Sequence, residues 1–214
     1  SLFGDAGNDI QVVASSTDNG SNLESPVSAA KTIQQTNNGD LVVTLMQLDA
    51  PVGASTINPL TTLVQDAIEL GLSPNQAELT IKSVLGLSFT PPAPEIHLQN
   101  YDAYAALQVD PTDATALAVE EVAVQVAILT SLSDDDTGVN LTLKIIDAAA
   151  NNQTLDLANI DDLSWIFGIP AVVDPDTGKY PEPLNEIYDR NKSMSDAIAD
   201  GGDVNVIEKE WHDF

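Results

Sequence analysis

The sequence predicts a mainly α (α+β) protein, a helical bundle of about five to seven helices with a small N-terminal β segment. Up to residue 56 the chain is rich in turn residues and short extended runs, whereas from residue 57 apolar residues recur at helical spacing. Hydrophobic residues make up 43% of the chain, enough for a real core. We therefore divide it into a β segment (1–56), a helical bundle (57–169) and an acidic helical C-terminal extension packed on the bundle (170–214).

The β segment combines a hairpin signal with a remnant of a calcium repeat. The turn residues of 37–40 (NNGD) separate two extended runs, and a further short strand is predicted at 11–15. Residues 4–9 (GDAGND) fit the calcium-binding nonapeptide G-G-x-G-x-D-x-U-x, with Asp9 as the ligand, although Gln11 stands in the aliphatic position. Because residues 1–3 resemble the tail of a preceding repeat, we expect the chain to be cut from a longer protein.

The first two helices are predicted from their caps. In NPLTTLVQDAIELG, Asn58 is the N-cap, Pro59 the first helical residue and Gly71 the stop. The next segment, SPNQAELTIKSVLG, repeats this pattern with a capping box between Ser73 and Gln76. The apolar stripe of the first helix comprises Leu60, Leu63, Val64, Ala67 and Ile68.

A long apolar segment, DPTDATALAVEEVAVQVAILTSL (110–132), predicts the central helix of the bundle. Asp110 would cap it and Pro111 would open it. Because it is apolar nearly all round, we expect it to be buried nearly all round. The segment NYDAYAAL predicts a short helix before it, and Trp165 and Phe167 are expected in the core of a later one. Further helices are predicted at 139–149, 157–167 and 184–199, with a final helix or strand at 204–214.

The charge balance restricts the possible partners. The chain has 33 Asp and Glu against 7 Lys and Arg, a net charge of −26. Phosphates and anionic membrane surfaces would be repelled, so we expect no nucleic-acid partner. No run of the ~20 apolar residues typical of a membrane span is apparent, so no membrane insertion is expected. Such an acidic surface is relieved by salt or bound cations, and the absence of cysteine excludes disulfides and thiolate metal sites.

One stretch resembles a known module. APVGA (50–54), NPLTTLV (58–64) and the LGL of 85–87, followed by a Tyr/Asp-Ala segment and an Ala/Val-rich helix, resemble a helical module of very large secreted and surface proteins of bacteria. Those proteins often carry hemolysin-type (RTX) calcium repeats and adhesin-like β domains. The resemblance covers roughly residues 40–150 and implies a secreted, extracellular or cell-surface setting, with neighbouring domains or subunits of a surface assembly as partners. It implies architecture and setting, and no chemistry.

Calcium is the cofactor that the acidic loops suggest. Ca²⁺ takes six to eight oxygen ligands, several of them carboxylates on a flexible loop. The loop DPDTGKYPE offers Asp174 and Asp176, and Asp9 lies in the calcium-repeat turn. The alternative for the first loop is a plain Asp-Pro-Asp turn, in which the aspartates bond their own backbone.

No motif predicts catalysis. His97 and His212 are isolated, and neither a G-x-S-x-G elbow nor a phosphate-binding loop occurs. We therefore predict no catalytic residues, and a non-enzymatic structural or assembly module that serves spacing, adhesion or surface-layer or filament assembly. The alternative is a module that binds a carbohydrate or a partner through Tyr180, Tyr188 and Trp211. A secreted acidic hydrolase using two carboxylates is a third hypothesis.

Overall fold

The computed structural model describes residues 23–24, 32–35, 41–44, 48–89, 95–132, 140–203, 205–207 and 209. This part of the chain is mainly α-helical with short strands before the first helix, which confirms the predicted fold class. The strands are β1 (Leu23–Glu24), β2 (Thr32–Gln35), β3 (Leu41–Thr44) and β4 (Asp49–Ala50). The helices are α1 (Pro59–Glu69), α2 (Pro74–Val84), α3 (Ala103–Val109), α4 (Ala114–Leu132), α5 (Leu141–Ala150), α6 (Ile160–Phe167) and α7 (Leu184–Ala199).

The strands form two antiparallel pairs. β2 pairs with β3, with Gln35 opposite Leu41, as the hairpin signal at 37–40 predicts. β1 pairs with β4, with Leu23 opposite Ala50. The predicted strand at 11–15 and Asp9 lie outside the described residues. Two-stranded pairs are marginal on their own, and β4 packs against α1.

Both predicted caps are present. The side chain of Asn58 accepts from the backbone N–H of Thr61, whose hydroxyl accepts in return from the N–H of Asn58, each at 2.9 Å. Ser73 and Gln76 form the equivalent capping box on α2. Each box satisfies two of the N–H groups that a helix start leaves without an intrahelical partner.

The start of α4 differs from the prediction. The helix begins at Ala114, and Asp113 is its cap, with Oδ1 accepting from the N–H groups of Thr115 and Ala116 at 2.9 Å. Asp110 instead accepts from the N–H and hydroxyl of Thr112, at 3.0 and 2.8 Å, and forms a turn ahead of the helix. Two aspartates compete for the capping role here, and the turn built by the first shifts the helix start by three residues.

α4 is the central helix, as predicted, and packs against α1, α3 and α7. Its segment Ala114–Ser131 is long and apolar enough to cross a membrane by length and composition, a run that the sequence analysis did not identify, and the absence of membrane insertion stays a prediction. In this fold 61% of that segment is buried inside the protein. Two polar residues of this helix, Glu120 and Gln125, are also buried.

One hydrophobic core joins β4 to the helices. It runs from Leu48, before β4, to Ile207, beyond α7, and α7 packs on α4 and α6. Phe167 lies in this core, as predicted, but Trp165 does not, because 38% of its surface is exposed. The ammonium of Lys144 lies 4.8 Å from the centre of the Trp165 ring, a cation–π contact on the surface between α5 and α6.

Candidate functional site

The junction between the β segment and the bundle is built from backbone and hydroxyl groups. The backbone carbonyl of Asp49 accepts from the hydroxyls of Thr61 and Thr62, at 3.0 and 3.2 Å, and its N–H donates to Thr62 Oγ1 at 2.9 Å. On either side of Asp49, Leu48 and Ala50 are fully buried in the helical core. The strand therefore enters the core of the bundle and is fixed there by the first turn of α1.

A buried ion pair on α2 holds the segment that follows it. Lys82 Nζ donates to the carbonyl of Ile96 at 2.6 Å and lies 3.8 Å from Glu78 Oε1. Glu78 in turn accepts from the N–H of Leu98 at 3.1 Å. The exposed His97 places Nδ1 3.3 Å from the same carboxylate. This histidine thus stands beside a structural ion pair, in which the carboxylate satisfies a backbone N–H and the ammonium a backbone carbonyl of the 95–100 segment.

A groove of about 370 Å³ lies between the end of α2, the outer face of α4 and the loop that follows α5. Its floor is apolar and includes Leu87, Val122 and Leu157. Three carboxylates line it, those of Glu121, Asp156 and Asp162. Its volume lies at the lower end of the range of ligand sites, which is enough for one or two side chains of a partner.

Hydrogen bonds orient each of these carboxylates through one oxygen. Glu121 Oε1 accepts from Gln125 Nε2 at 3.0 Å and also from the hydroxyl of Ser195 on α7. Asp162 Oδ2 accepts from the N–H of Asp156 at 2.9 Å, and Asp156 Oδ1 accepts from the N–H of Ala158 at 2.9 Å. The second oxygen of each group retains its capacity to accept from a ligand.

Burial changes the acidity of two carboxyls that link helices. Burial raises the pKa of the Glu121 carboxyl, and the negative charge of Asp156 adds to the effect against the hydrogen bonds from Ser195 and Gln125. Burial likewise raises the pKa of Asp66 on α1, against a 3.1 Å hydrogen bond from the hydroxyl of Thr142 on α5. Both links join a carboxylate to a neutral hydroxyl on another helix.

The predicted calcium loop forms a hydrogen-bonded turn. Asp174 Oδ1 accepts from the N–H of Asp176 at 2.8 Å, and the Asp174 carbonyl accepts from the N–H of Gly178 at 2.8 Å. Both aspartates are exposed. Within the described residues, no group of three or more acidic or histidine side chains is arranged to hold a metal ion. The loop thus has the geometry of the Asp-Pro-Asp turn alternative, and Ca²⁺ binding at Asp174, Asp176 and Asp9 stays a prediction.

The predicted aromatic cluster is brought together in part. The rings of Tyr180 and Tyr188 meet edge to face, with their centres 5.6 Å apart, and both pack on the core. Trp211 lies outside the described residues. The two tyrosines attach the 170–183 loop to α7, which is a structural use of their apolar surface.

No family model, curated protein or solved structure matches this chain. The functional interpretation of the site therefore depends on its residues alone. Sequence reasoning missed the groove, since its lining comes from segments far apart in the chain. The one available signal was the pair of glutamates that interrupts the apolar sequence of α4, because a polar residue on a buried helix needs a partner.

Proposed function

We propose that this chain is a non-enzymatic structural module of a large, secreted, calcium-associated bacterial surface protein, and that it fixes the spacing and orientation of a preceding β domain. The observation that carries the proposal is the junction at Asp49. A strand that is anchored by Leu48 and Ala50 in the helical core cannot swing freely against the bundle. Such a junction passes orientation and load from one domain to the next, which a flexible linker cannot do.

Backbone relaxation of the ¹⁵N-labelled chain tests this proposal. We expect the amides of Glu24 and Ala50 to report the same overall tumbling as those of α1, with order parameters typical of a rigid backbone, about 0.85. Replacing both Thr61 and Thr62 with valine removes the hydroxyls that hold Asp49 and should lower the order parameters at the strand. Fast independent motion of the strand in the unmodified chain would contradict the proposal.

The calcium part of the proposal is supported by the charge of −26 and by the repeat-like sequence around Asp9. A cation that binds only the folded chain stabilises it by RT ln(1 + [L]/Kd), about 2.7 kcal/mol at a hundred times Kd. We expect CaCl2 at low ionic strength to raise the melting temperature above that measured in EDTA. Magnesium at equal concentration is the control for screening alone, and an equal rise with both ions would remove calcium from the proposal.

The second candidate function, a partner-binding module, is supported by the groove beside Glu121. Tyr180 and Tyr188 support it less, because their rings pack on each other and on the core. A spacer and a docking surface are compatible in one domain, since the junction and the groove are formed by different residues.

A further inference from the structure

We propose that the groove between α2, α4 and the loop after α5 binds a basic, aliphatic segment of a protein partner, in which arginine or lysine alternates with apolar side chains. The groove offers two chemistries side by side. Its apolar floor, formed by residues such as Leu87, Val122 and Leu157, suits aliphatic side chains. Its carboxylates, Glu121, Asp156 and Asp162, suit a guanidinium or an ammonium group.

The carboxylates are held ready for a ligand. Each is fixed through one oxygen by a hydrogen bond from within the fold, which leaves its second oxygen for a donor in the groove. A ligand therefore meets groups that are already oriented, and it does not have to order them. The donors that hold Glu121 are a neutral amide and a neutral hydroxyl, and Asp156 adds a like charge. A cationic side chain would offset that repulsion.

The arrangement favours a basic segment over a metal ion. A single ion requires several oxygens around one point. Among the described residues no three acidic side chains meet that requirement, whereas carboxylates spread along a groove match charges spaced along a peptide. Lys192, whose charge interacts with that of Asp156, binds both carboxylate oxygens of Asp196, at 2.8 and 2.7 Å.

Charge also argues for a different protein as the occupant. With 33 acidic against 7 basic residues, two copies of this chain repel each other, and few basic segments are available for the groove. A partner with the opposite balance would be attracted over a distance and would then be held by the apolar floor.

Binding of a defined peptide to the full chain tests the proposal. The probe is an acetylated and amidated heptapeptide of alternating leucine and arginine, titrated into the ¹⁵N-labelled chain in 150 mM NaCl so that weak surface attraction is screened. We expect saturable shifts confined to residues 85–87, 118–125 and 154–162. Shifts spread over the acidic surface, or none at millimolar peptide, would overturn the proposal.

Two peptides separate the two chemistries of the groove. In one, serine replaces every leucine, which keeps the charge; in the other, glutamine replaces every arginine, which keeps the apolar side chains. We expect both to bind at least about tenfold more weakly than the probe, because each loses one set of contacts. Equal binding of the serine peptide would reduce the site to non-specific attraction and would count against the proposal.

Matched variants place the site. Glu121→Gln with Asp156→Asn removes two charges from the groove, and Asp174→Asn with Asp176→Asn removes two from an exposed loop. We expect the first pair to weaken binding about tenfold and the second by less than about twofold. If the loop pair weakens binding as much as the groove pair, the site is not the groove.

A filling substitution tests the floor without changing the charge. Ala118 lines the groove, so Ala118→Trp should block the probe, whereas Val109→Trp, at a position 87% exposed and outside the groove, should not. Circular dichroism confirms that each variant is folded. Unchanged binding in folded Ala118→Trp, or groove shifts that follow protein concentration without peptide and so indicate a second copy, would overturn the proposal. These outcomes do not depend on the relaxation test of the spacer function.

Discussion

Glu78 on α2 is buried and Glu121 on α4 is partly buried. Each binds a neighbouring segment of the fold, but their partners differ in charge. Glu78 has Lys82 one turn away and accepts from the N–H of Leu98. Glu121 is held by the neutral side chains of Ser195 and Gln125. Burial raises the pKa of the Glu121 carboxyl, and the hydrogen bonds from these neutral groups oppose the shift without supplying a positive charge.

The two sites differ in how they respond to their surroundings. The attachment of the 95–100 segment to α2 depends on an ion pair that is complete within the fold. The contact of α7 with α4 depends on a carboxylate whose charge is not neutralised by the groups that hold it. We therefore expect the first region to show large mutational effects and the second to show pH and ligand effects.

The largest expected effect comes from breaking the ion pair on α2. Lys82→Met leaves the buried charge of Glu78 without its cation and the carbonyl of Ile96 without its donor, so we expect a loss of about 3–5 kcal/mol in the free energy of unfolding. Lys192→Met is the matched control, because that lysine also forms a pair one turn apart but is exposed, and its replacement should cost far less stability. Equal losses in urea unfolding would show that burial does not separate the two pairs.

A smaller effect is expected at the strand junction. Thr61 is fully buried, and Thr61→Val removes a hydroxyl that bonds Asp49 and Asn58 while retaining the branched shape. The expected loss is about 1–3 kcal/mol, because buried backbone groups lose their partner. Since none of these groups titrates, the loss should be the same at pH 5 and pH 7.5. A loss that changes with pH would contradict the neutral character assigned to the junction.

The pH dependence of stability separates Glu121 and Asp66 from exposed carboxyls. A carboxyl whose pKa is raised on folding contributes stability below its unfolded pKa and loses it as the pH rises through the folded value. Glu121→Gln keeps an acceptor for Ser195 and removes the charge, so it should raise the melting temperature at pH 7.5 and have little effect near pH 4. Asp66→Asn should behave in the same way, because burial also raises the pKa of Asp66.

The control for these two variants is Glu95→Gln, at an exposed position. It removes the same formal charge and so measures the relief of general repulsion at a net charge of −26. If Glu95→Gln stabilises the chain at pH 7.5 as much as Glu121→Gln, the effect comes from total charge and the α4–α7 contact has no special role.

The smallest expected effect lies in the exposed turn at Asp174. Asp174→Ala removes the acceptor for the N–H of Asp176 at a solvated position, so we expect a loss of about 0.5 kcal/mol in EDTA. If this loop is one of the calcium sites, the variant should also reduce the rise in melting temperature that CaCl2 produces. An unchanged rise would assign any calcium effect to another part of the chain.

Local signals in the sequence predicted the elements of the fold well, and long-range signals were missing. Asn58 and Ser73 mark their helices because a cap needs only residues within one turn. Asp110 gave the wrong start for α4, since two aspartates three residues apart both have capping chemistry and only the fold selects Asp113. The apolar sequence around Trp165 predicts a core residue. No neighbouring residue in the sequence indicates that Lys144 lies over its ring.

The site was predictable only in outline for the same reason. Thr61 and Thr62 fall in the first turn of a helix, where hydroxyl residues are common. Their hydrogen bonds to Asp49 depend on how the strand approaches the helix. The groove needs segments that lie far apart in the chain, namely the end of α2, one face of α4 and the loop after α5. Glu121 was visible as a polar residue in an apolar sequence, but its partner Ser195 is 74 positions away.

The central position of α4, packed against helices that precede and follow it in the chain, has a consequence for biosynthesis. Its apolar sequence leaves the ribosome long before α7, which covers Gln125 and Glu121, has been made. Until then the nascent chain exposes apolar surface of α4. Such a form is prone to binding by chaperones and to self-association. A chain that stops before α7 should therefore accumulate in inclusion bodies, and refolding yields of the whole chain should fall as its concentration rises.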